Sequence, residues 1–478
     1  MPNFRHGPET IQKTVGTEQI SEVKTAVIFI VGTAPTHLVA SGAAPLNQLV
    51  MVRSDADYAQ FGPDVAGYSI PEALKAHGLL KAGLVFVCNV FNPAKTEHKT
   101  TVAEATLAVV DNVITLAHKD IISATVKHIA SPDVLAVEGD DYTLDRENGI
   151  ITFTEDGILD GDATAKVALV KGNPAGVTSA DVIGTTNSSG VRSGMQTAYD
   201  TENRYGFLPK IFIAPRFSSA ATVMSALASV ASKCRGVWYA DAPAGTTGDD
   251  ALTGRTPGET PDLSSVHKRG RICIPHFKRD DGRVVPMSPY VAVLRAWSDK
   301  TFGYWFSISN QPVQGVSGAE IPIDASFTDE NAMTNLLNAA GLTTIFCKSG
   351  LGVRVWGNRM VSFPGDTGIE TFEPVLVTRD VIEESIEYYA ALRRVDKPTS
   401  KVLIDQVLDD VNGFLNELIG KGASMPGSVC WVDPAQNPSQ NLAAGKIKWS
   451  YKFCPPPPAE NPQFESILDT TLLGNVFA

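Results

Sequence analysis

Cysteine is scarce in this sequence and never occurs in a spacing typical of metal binding or redox chemistry. The 478 residues include six cysteines, which lie far apart and form no Cys-x-x-Cys pair. Zinc ribbons and thioredoxin-like motifs both need such a pair, so the sequence excludes both. We interpret most of the six as small, buried apolar residues.

Long apolar runs and an excess of positive charge are also lacking. No run approaches the roughly 20 apolar residues that a membrane-spanning helix needs. Residues 1–6 lack the basic start and apolar middle of a secretory signal, which predicts a product that stays in the cytoplasm. The 40 basic and 52 acidic residues give a formal charge of 40 − 52 = −12, whereas a chain that mainly neutralises phosphates would be basic. We therefore predict neither membrane nor nucleic acid as a partner.

Motifs for catalysis or cofactor binding are lacking as well. None of the eight histidines lies in a nucleophile or base motif, and no Gly-x-Ser-x-Gly sequence occurs. Residues 350–352 contain two glycines but neither a third nor the Lys-Ser/Thr of a phosphate-binding loop. Asp140, Asp141, Asp145 and Glu147 depart from the alternating ligand spacing of a calcium loop. The sequence predicts no catalytic residue, no metal site and no cofactor; an unrecognised hydrolase or binding protein on an α/β scaffold remains the alternative.

Buried strands and amphipathic helices dominate two parts of the chain. A length of 478 residues predicts two to four domains. Continuous apolar runs rich in β-branched residues indicate strands covered on both faces, and a proline at the start of an apolar periodic stretch indicates a helix. These signals predict strands at 25–31, 84–90, 210–214, 236–240 and 271–274, and helices at 71–80 and 218–235. Together they favour one α/β domain.

Short alternating strands replace this pattern between residues 96 and 190. Residues 142–144 and 150–153 alternate as strands around Asn148-Gly149, a strong hairpin turn signal. We interpret the interval as a small inserted β domain.

Two amphipathic helices and an extended tail follow Trp356. Apolar residues recur at helical spacing near 379–394 and 400–419. Residues 446–453 alternate as a half-buried strand, 455–458 are four prolines, and 464–477 form another amphipathic segment, extended or mixed. A stiff spacer before an apolar end is typical of an arm that reaches a neighbour.

Two local clusters carry competing interpretations. The basic residues at 268–271, with Lys278, Arg279 and Arg283, lack the interleaved aromatics of a nucleic-acid surface. We interpret them as a solvated face or an inter-subunit ion-pair strip. Tyr304, Trp305 and Phe306 look like a strand whose aromatics divide between core and interface, and we assign them to packing.

An ordered set of short motifs between residues 288 and 359 resembles the contractile-tail sheath proteins. The motifs run from Ser-Pro-Tyr-Val at 288–291, through Gly-Tyr-Trp at 303–305 and Gln-Gly-Val at 314–316, to the glycine-rich stretch 350–359. Most of the chain shares the likeness, in blocks 25–95 and 190–478. The residues that carry it are Ser288, Pro289, Tyr290, Gly303, Trp305, Gly315, Gly350, Gly352, Trp356, Gly357, Asn358 and Arg359.

The resemblance implies a multidomain α/β fold without enzymatic activity. The expected division is an N-terminal arm (1–22), a discontinuous α/β core (23–95 and 191–350), an inserted outward-facing β domain (96–190), an inner, tube-facing α+β C-terminal domain (351–454) and a C-terminal arm (455–478). The implied function is a tail sheath, built of stacked hexameric rings, that contracts to drive a tube through a bacterial envelope. The implied partners are further copies of the chain, the tube protein, and baseplate and tail terminator proteins. Its expected location is the virion tail, assembled in the host cytoplasm; a phage-derived bacteriocin or other contractile injection particle is the runner-up.

The resemblance to sheath proteins also predicts which residues lie at interfaces. We expect the arms and a receiving strand to join subunits by strand donation, because an exposed sheet edge accepts an extended segment through backbone hydrogen bonds. The residues assigned to this contact are Ile11, Val15, Lys446, Ile447, Trp449, Tyr451, Phe453, Phe464, Ile467, Leu468, Leu472 and Leu473. The residues assigned to the tube-facing helix are Arg379, Glu383, Glu387, Arg393 and Arg394.

Overall fold

The structure, a computed structural model, describes residues 20–348 and 350–477. Ile11 and Val15 of the predicted N-terminal arm lie outside this part of the chain. Among the described residues, no helix is both long enough and apolar enough to cross a membrane.

Secondary structure alternates along the first half of the chain and is purely β between residues 99 and 172. The first elements are β1 (Val27–Gly32), β2 (Leu49–Val52), α1 (Ser69–Leu80) and β3 (Leu84–Asn89). The next seven strands are β4 (Lys99–Ala108), β5 (Val113–Thr115), β6 (Ile121–His128), β7 (Val134–Leu135), β8 (Tyr142–Asp145), β9 (Ile150–Phe153) and β10 (Thr164–Gly172).

Helices and strands alternate again from residue 179 to residue 356, and two long helices follow. The middle elements are α2 (Ser179–Ile183), α3 (Thr201–Tyr205), β11 (Ile211–Ile213), α4 (Ala221–Lys233), β12 (Val237–Asp241), α5 (Gly248–Thr253), β13 (Gly270–Cys273), β14 (Phe277–Arg279), β15 (Val284–Val285), α6 (Ser288–Thr301), β16 (Val316–Ala319), α7 (Met333–Ala339), β17 (Leu342–Lys348) and β18 (Gly352–Trp356). The last are α8 (Glu373–Arg393), α9 (Lys401–Lys421), β19 (Val429–Trp431), α10 (Ser439–Ala443), β20 (Ser450–Lys452) and a 3-10 segment (Thr470–Phe477).

An eight-stranded sheet forms the centre of the core domain. Its order is β18-β17-β13-β12-β11-β1-β3-β2, and the six strands from β17 to β3 are parallel. Antiparallel strands close both edges, β2 beside β3 and β18 beside β17. The predicted mixed α/β fold is confirmed, and this sheet continues to residue 356.

Both faces of this sheet are covered, as the continuous apolar runs predict. Ile28 and Ile30 of β1 pack into a core with α1 and α6, whereas Phe29 and Val31 point to the opposite core, which contains α4. Burial on both faces explains why β1 carries apolar residues at every position instead of alternating.

The interval between residues 99 and 172 forms two small sheets with a core of their own. One sheet has the order β4-β10-β6-β7 and the other β5-β9-β8. Their inward residues, among them Val126, Ile151 and Val167, form a separate apolar cluster. The predicted hairpin is confirmed, because β8 and β9 pair antiparallel across the turn that contains Gly149 at φ +70°.

Three sequence-based expectations near the C-terminal half are corrected. The helix expected near 379–394 begins at Glu373, where Pro374 occupies its first turn. Tyr304, Trp305 and Phe306 lie in a turn after α6 and not in a strand. The strand expected over 446–453 is reduced to Ser450–Lys452, because the Asn437 side chain bonds the backbone of Lys448 instead.

Candidate assembly surface

Ser288 begins α6 and fixes that helix to the sheet. Its backbone N–H donates to Asp241 Oδ1 at 2.7 Å, and its hydroxyl donates to the same carboxylate. Burial raises the pKa of Asp241, although the charge of His276 and the bonds from Ser288 oppose the shift. Because Ser288 is fully buried and donates directly to a carboxylate, its hydroxyl is not presented to a substrate. The adjacent Pro289 occupies the first turn of α6.

Aromatic and glycine residues of the motif set shape the two ends of α6. Tyr290 meets Phe277 edge-on at 5.2 Å between ring centroids, and burial raises its pKa to about 12. Gly303 adopts φ +113°, and a Cβ there would lie 2.5 Å from the ring of Trp305. Gly315 adopts φ +72° against Leu79. These residues determine the local path of the chain.

The glycine-rich stretch forms a hairpin and then a tight exit from the sheet. Gly350 adopts positive φ in the turn between β17 and β18, and Gly352 does so at the first position of β18. Trp356 packs on Phe346 at 4.9 Å between centroids. Gly357 adopts φ +124°, where a Cβ would lie 2.6 Å from Asn338 Oδ1. The next residue, Asn358, accepts the backbone N–H of Glu373 at 3.0 Å and so joins the exit to α8.

Arg359 connects this exit to the C-terminal segment. Its guanidinium lies 3.6 Å from the ring centroid of Phe372 and donates to Thr371 Oγ1 at 2.7 Å. The same guanidinium binds the Glu460 carboxylate, with Nη2 to Oε2 at 2.7 Å. Arg359 therefore determines where the segment after the four prolines leaves the body of the subunit.

A stripe of acidic residues along α8 attaches the C-terminal domain to the core. The acidic residues are spaced seven, four and three positions apart, so they lie on one helical face. The pairs are Glu373 with Arg271, Asp380 with Arg269, Glu384 with Lys210 and Glu387 with Arg235. The basic partners lie at the amino-terminal ends of the parallel strands β11, β12 and β13.

These pairs correct the interpretation of the basic cluster at Arg269 and Arg271, whereas Lys268 is 70% exposed and pairs with Asp366 at 3.2 Å. Arg271 is fully buried, and Arg269 Nη2 donates to Asp380 Oδ1 at 2.8 Å. Neither residue forms a solvated face or an inter-subunit strip. Arg279 and Arg283 likewise bind Asp64 and Asp281 within the subunit. The acidic spacing on α8 was visible in the sequence, but its partners are distant along the chain and could not be paired with it.

The residues predicted to face the tube do not form one exposed set. Arg379 and Glu383 pair on the surface of α8, with Nε to Oε1 at 2.8 Å, and Arg393 is exposed. Glu387 instead binds Arg235 of the core at 2.8 Å. Arg394 points into the helix pair, where Nη2 donates to Asp410 Oδ2 at 2.6 Å and Nε donates to the Tyr389 hydroxyl. Arg394 and Glu387 are thus engaged within the subunit.

The C-terminal domain ends in a two-stranded sheet with an open edge. β20 pairs antiparallel with β19, and among the described residues it pairs with nothing on its other side. Trp449, Tyr451 and Phe453 lie partly buried against the core of α8 and α9, whereas Ile447 is half-buried and Lys446 exposed.

The final segment exposes its apolar side chains. They are between 62% and 93% exposed, far above the value expected for apolar residues in a folded subunit. The set comprises Phe464, Ile467, Leu468, Leu472, Leu473 and Val476. The structure therefore combines an exposed apolar segment and an open strand edge in one chain.

The family model, the sequence relatives and the solved structures that resemble this chain agree with one another. The model of the phage tail sheath protein central domain matches residues 190–360. The tail sheath protein of Burkholderia phage BcepMu is 40% identical over 477 residues, which cover 98% of each chain. The sheath complex of the PVC extracellular contractile injection system in its contracted state has a TM-score of 0.58 at 13% identity, over 98% of this chain and 99% of that one. The baseplate of the anti-feeding prophage in its contracted state has a TM-score of 0.60 at 14% identity, over 97% and 99%. The ordered motifs, the sheet that they surround and a relative similar along almost the whole length lead to one conclusion: the chain belongs to the contractile-tail sheath proteins, a family of structural proteins of phages and phage-like injection systems.

Proposed function

We propose that this chain polymerises as stacked hexameric rings around a tail tube and contracts to drive the tube through the bacterial cell envelope. Family membership supports the sheath role, and both structures of similar fold are described as contracted assemblies. The partners are further copies of the chain, the tail tube protein, and baseplate and tail terminator proteins. Subunits assemble in the host cytoplasm and become part of the virion tail.

The observation that carries the proposal is the combination of an exposed apolar segment with a strand edge, neither of which has a partner among the residues that the structure describes. An isolated subunit would leave both exposed to water, which costs about 25 cal/mol for each Å² of apolar surface. Strand donation between copies satisfies both features, since backbone hydrogen bonds supply strength and alternating side chains supply register. The arms 1–22 and 455–478 would knit neighbouring subunits together.

The receiving element on this proposal is β20, with its flanking residues Trp449 and Phe453. Its outward backbone groups are available, and its inward side chains already pack on α8 and α9. An added strand would thus extend a sheet that is held in place. Lys446 and Ile447 precede the strand and would contact the incoming arm only at its end.

Contraction on this proposal needs no bound nucleotide. An extended lattice can be kinetically trapped and release interface energy when its rings rotate and repack. Flexible arms would keep neighbours connected while the bodies of the subunits move.

The tube-facing surface is proposed to include the outer face of α8 at Arg379, Glu383 and Arg393. Glu387 is 60% exposed but lies on the face of α8 that meets the core, where it pairs with Arg235, and Arg394 is bonded inside the helix pair, so neither is included in this surface. The inserted β domain, which has a core of its own, would project outward where its bulk does not obstruct the tube.

Imaging tests the proposal directly. Negative-stain electron microscopy of the chain alone, at increasing concentration and salt, should reveal hollow striated cylinders. If only dispersed particles form, and co-expressed tube protein also fails to recruit them, the proposed function is wrong. Deleting residues 464–478 should leave a folded monomer that does not polymerise; polymers of normal length would refute the role of the arm.

A substitution at the strand edge tests whether subunits polymerise by strand donation or through other contacts. Tyr451→Pro removes one backbone N–H donor and disfavours an added strand. We expect polymerisation to fail, and circular dichroism should show an intact fold. Val402→Pro in the first turn of α9 is the matched control, because a proline there removes an N–H that the helix does not use and leaves the edge of β20 unchanged.

The sheath of a bacteriocin or another injection particle would assemble and contract in the same way. The genes beside this one would distinguish it from an infectious phage, because only the phage needs capsid and packaging proteins.

A further inference from the structure

A cleft of about 910 Å³ opens beside the junction of the core and the C-terminal domain. Its walls are the amino-terminal ends of β1 and β3, the end of the edge strand β2, and the turn that contains Tyr304. Val52, Leu84 and Phe207 give it an apolar lining. The basic residues that surround this lining are Lys24, Arg53, Lys81, Arg204 and Lys300.

Within residues 20–348 and 350–477, the positive charge of this cleft is only partly neutralised, since Lys81 pairs with Asp55 but other basic residues have no such partner. Its acidic lining residues are already bound, Glu22 by Lys421 at 2.5 Å and Asp299 by Arg295. Among the described residues, Arg53, Arg204 and Lys300 have no carboxylate within 4.0 Å. On a chain with a formal charge of −12, an apolar cleft with three unpaired cations indicates an acidic, apolar ligand.

The terminal segment of this same chain has that chemistry. Residues 461–477 contain Glu465 and Asp469 and no lysine or arginine. Their apolar side chains are the exposed set described above. The two acidic residues are four positions apart, so they can reach basic groups on one side of a narrow cleft.

The cleft is also close to the proposed receiving strand. Tyr304 and Val23, which line the cleft, pack in the same apolar cluster as Tyr451 of β20. An extended segment of 17 residues spans up to roughly 55–60 Å, since each residue adds about 3.3–3.6 Å. One arm, anchored at Glu460, is therefore long enough to pass along a strand edge and continue into a cleft on the same neighbour.

We propose that this cleft receives residues 461–477 of a second copy of the chain, with Glu465 and Asp469 against Arg53, Arg204 and Lys300 and the apolar side chains on the lining. The inference rests on the proposed function and extends it, because it assigns the surface that holds the end of the arm after the strand edge. This contact would hold neighbouring subunits together, and its ion pairs would weaken as the salt concentration rises.

A peptide-binding experiment with charge exchange tests this assignment. The probe is a fluorescently labelled peptide of residues 461–478, titrated into the full-length chain at a concentration below that at which the chain polymerises, and followed by anisotropy. Reversing the charge of the cleft with Arg53→Glu, Arg204→Glu and Lys300→Glu should weaken binding of the peptide at least tenfold at low salt. A peptide with Glu465→Lys and Asp469→Lys should bind the reversed cleft at least tenfold better than the native peptide does. The matched control reverses three exposed lysines elsewhere, with Lys119→Glu, Lys278→Glu and Lys397→Glu, and should leave binding unchanged.

The outcomes separate this inference from the proposed strand donation. Unchanged affinity in the reversed cleft, or no recovery with the exchanged peptide, overturns the inference. If Tyr451→Pro alone abolishes binding while cleft reversal has no effect, strand donation stands and the cleft assignment falls. If the native peptide does not bind the chain at all, both fall. All three cleft substitutions are at exposed positions, and thermal unfolding should verify that the variant folds.

Discussion

Arg359 and Glu460 are 101 positions apart and form a two-pronged ion pair, with Nε to Oε1 at 3.1 Å and Nη2 to Oε2 at 2.7 Å. Two parallel N–H···O bonds fix direction as well as distance. Because the apolar terminal segment begins immediately after Glu460, this pair determines the direction in which that segment leaves the subunit.

Arg359→Lys should loosen the arm without unfolding the subunit. Lysine keeps the positive charge, but it cannot donate two parallel hydrogen bonds to the carboxylate and cannot stack flat on the ring of Phe372. Proteolytic cleavage between Glu460 and Phe464 should become faster by about tenfold, and polymers should form more slowly. Unchanged cleavage in this segment would show that the prolines alone hold it. Arg354→Lys is a suitable control, because this arginine donates to the backbone carbonyls of Leu351 and Asn310 and, among the described residues, to no carboxylate.

Removing one partner of the buried Lys210–Glu384 pair should destabilise the subunit strongly. Both side chains are less than 10% exposed, and Lys210 Nζ lies 2.6 Å from Glu384 Oε2. Glu384→Ala leaves a buried cation unpaired, at a cost of about 3–5 kcal/mol. The double variant Lys210→Met with Glu384→Leu should recover most of that loss in urea unfolding. Equal losses in the single and double variants would contradict this account; Lys401→Ala, in an exposed pair, should change nothing measurable.

Gly357→Ala should reduce the free energy of unfolding by about 1–3 kcal/mol. Its φ of +124° is a region that alanine rarely adopts, and the new Cβ would clash with Asn338 Oδ1. Gly413→Ala provides the contrast, since Gly413 lies inside α9 with open space around it. That substitution should stabilise by roughly 0.5–1 kcal/mol through helix propensity. A loss at Gly413 or none at Gly357 in chemical denaturation would refute the argument.

Asp64 should make stability depend on pH in the acid range. Burial raises the pKa of Asp64, but bonds and charges from Arg279 and Arg283 outweigh it and hold that pKa below its usual 3.8. The unfolded chain therefore binds more protons here, so the stabilisation is present above pH 3.8 and is lost as the pH falls through the lower folded value. Asp64→Asn should cost about 1–3 kcal/mol at pH 7 and progressively less below pH 3.8. An equal cost at pH 7 and pH 3 would contradict the linkage.

The sequence predicted the parts of the fold that depend on local pattern. Apolar runs such as β1 and the periodic spacing in α4 and α9 report burial directly, so these elements were found within a few residues of their observed bounds. The turn at Asn148-Gly149 was found because only a few residue types adopt its backbone conformation.

Contacts between distant segments could not be derived in this way. Arg269 and Arg271 were interpreted as part of a solvated face or an inter-subunit strip, because the sequence does not state which strands the acidic face of α8 will contact. Arg394 looked like a surface cation at a helix end, yet it turns inward because Asp410 of α9 offers a carboxylate there. The basic residues of the cleft come from five separate segments and have no common motif.

The acidic stripe along α8 also determines how the subunit carries mechanical load. A pull on the open edge of β20 passes through the α8 and α9 core and reaches the sheet across four ion pairs at once. Bonds arranged side by side share a force, and they fail together instead of opening one after another. The amino-terminal ends of three parallel strands receive that force, and each strand is hydrogen-bonded along its length to its neighbours. Traction between copies therefore moves the core and the C-terminal domain as one stiff element and concentrates deformation in the segments that lie beyond the ion pairs.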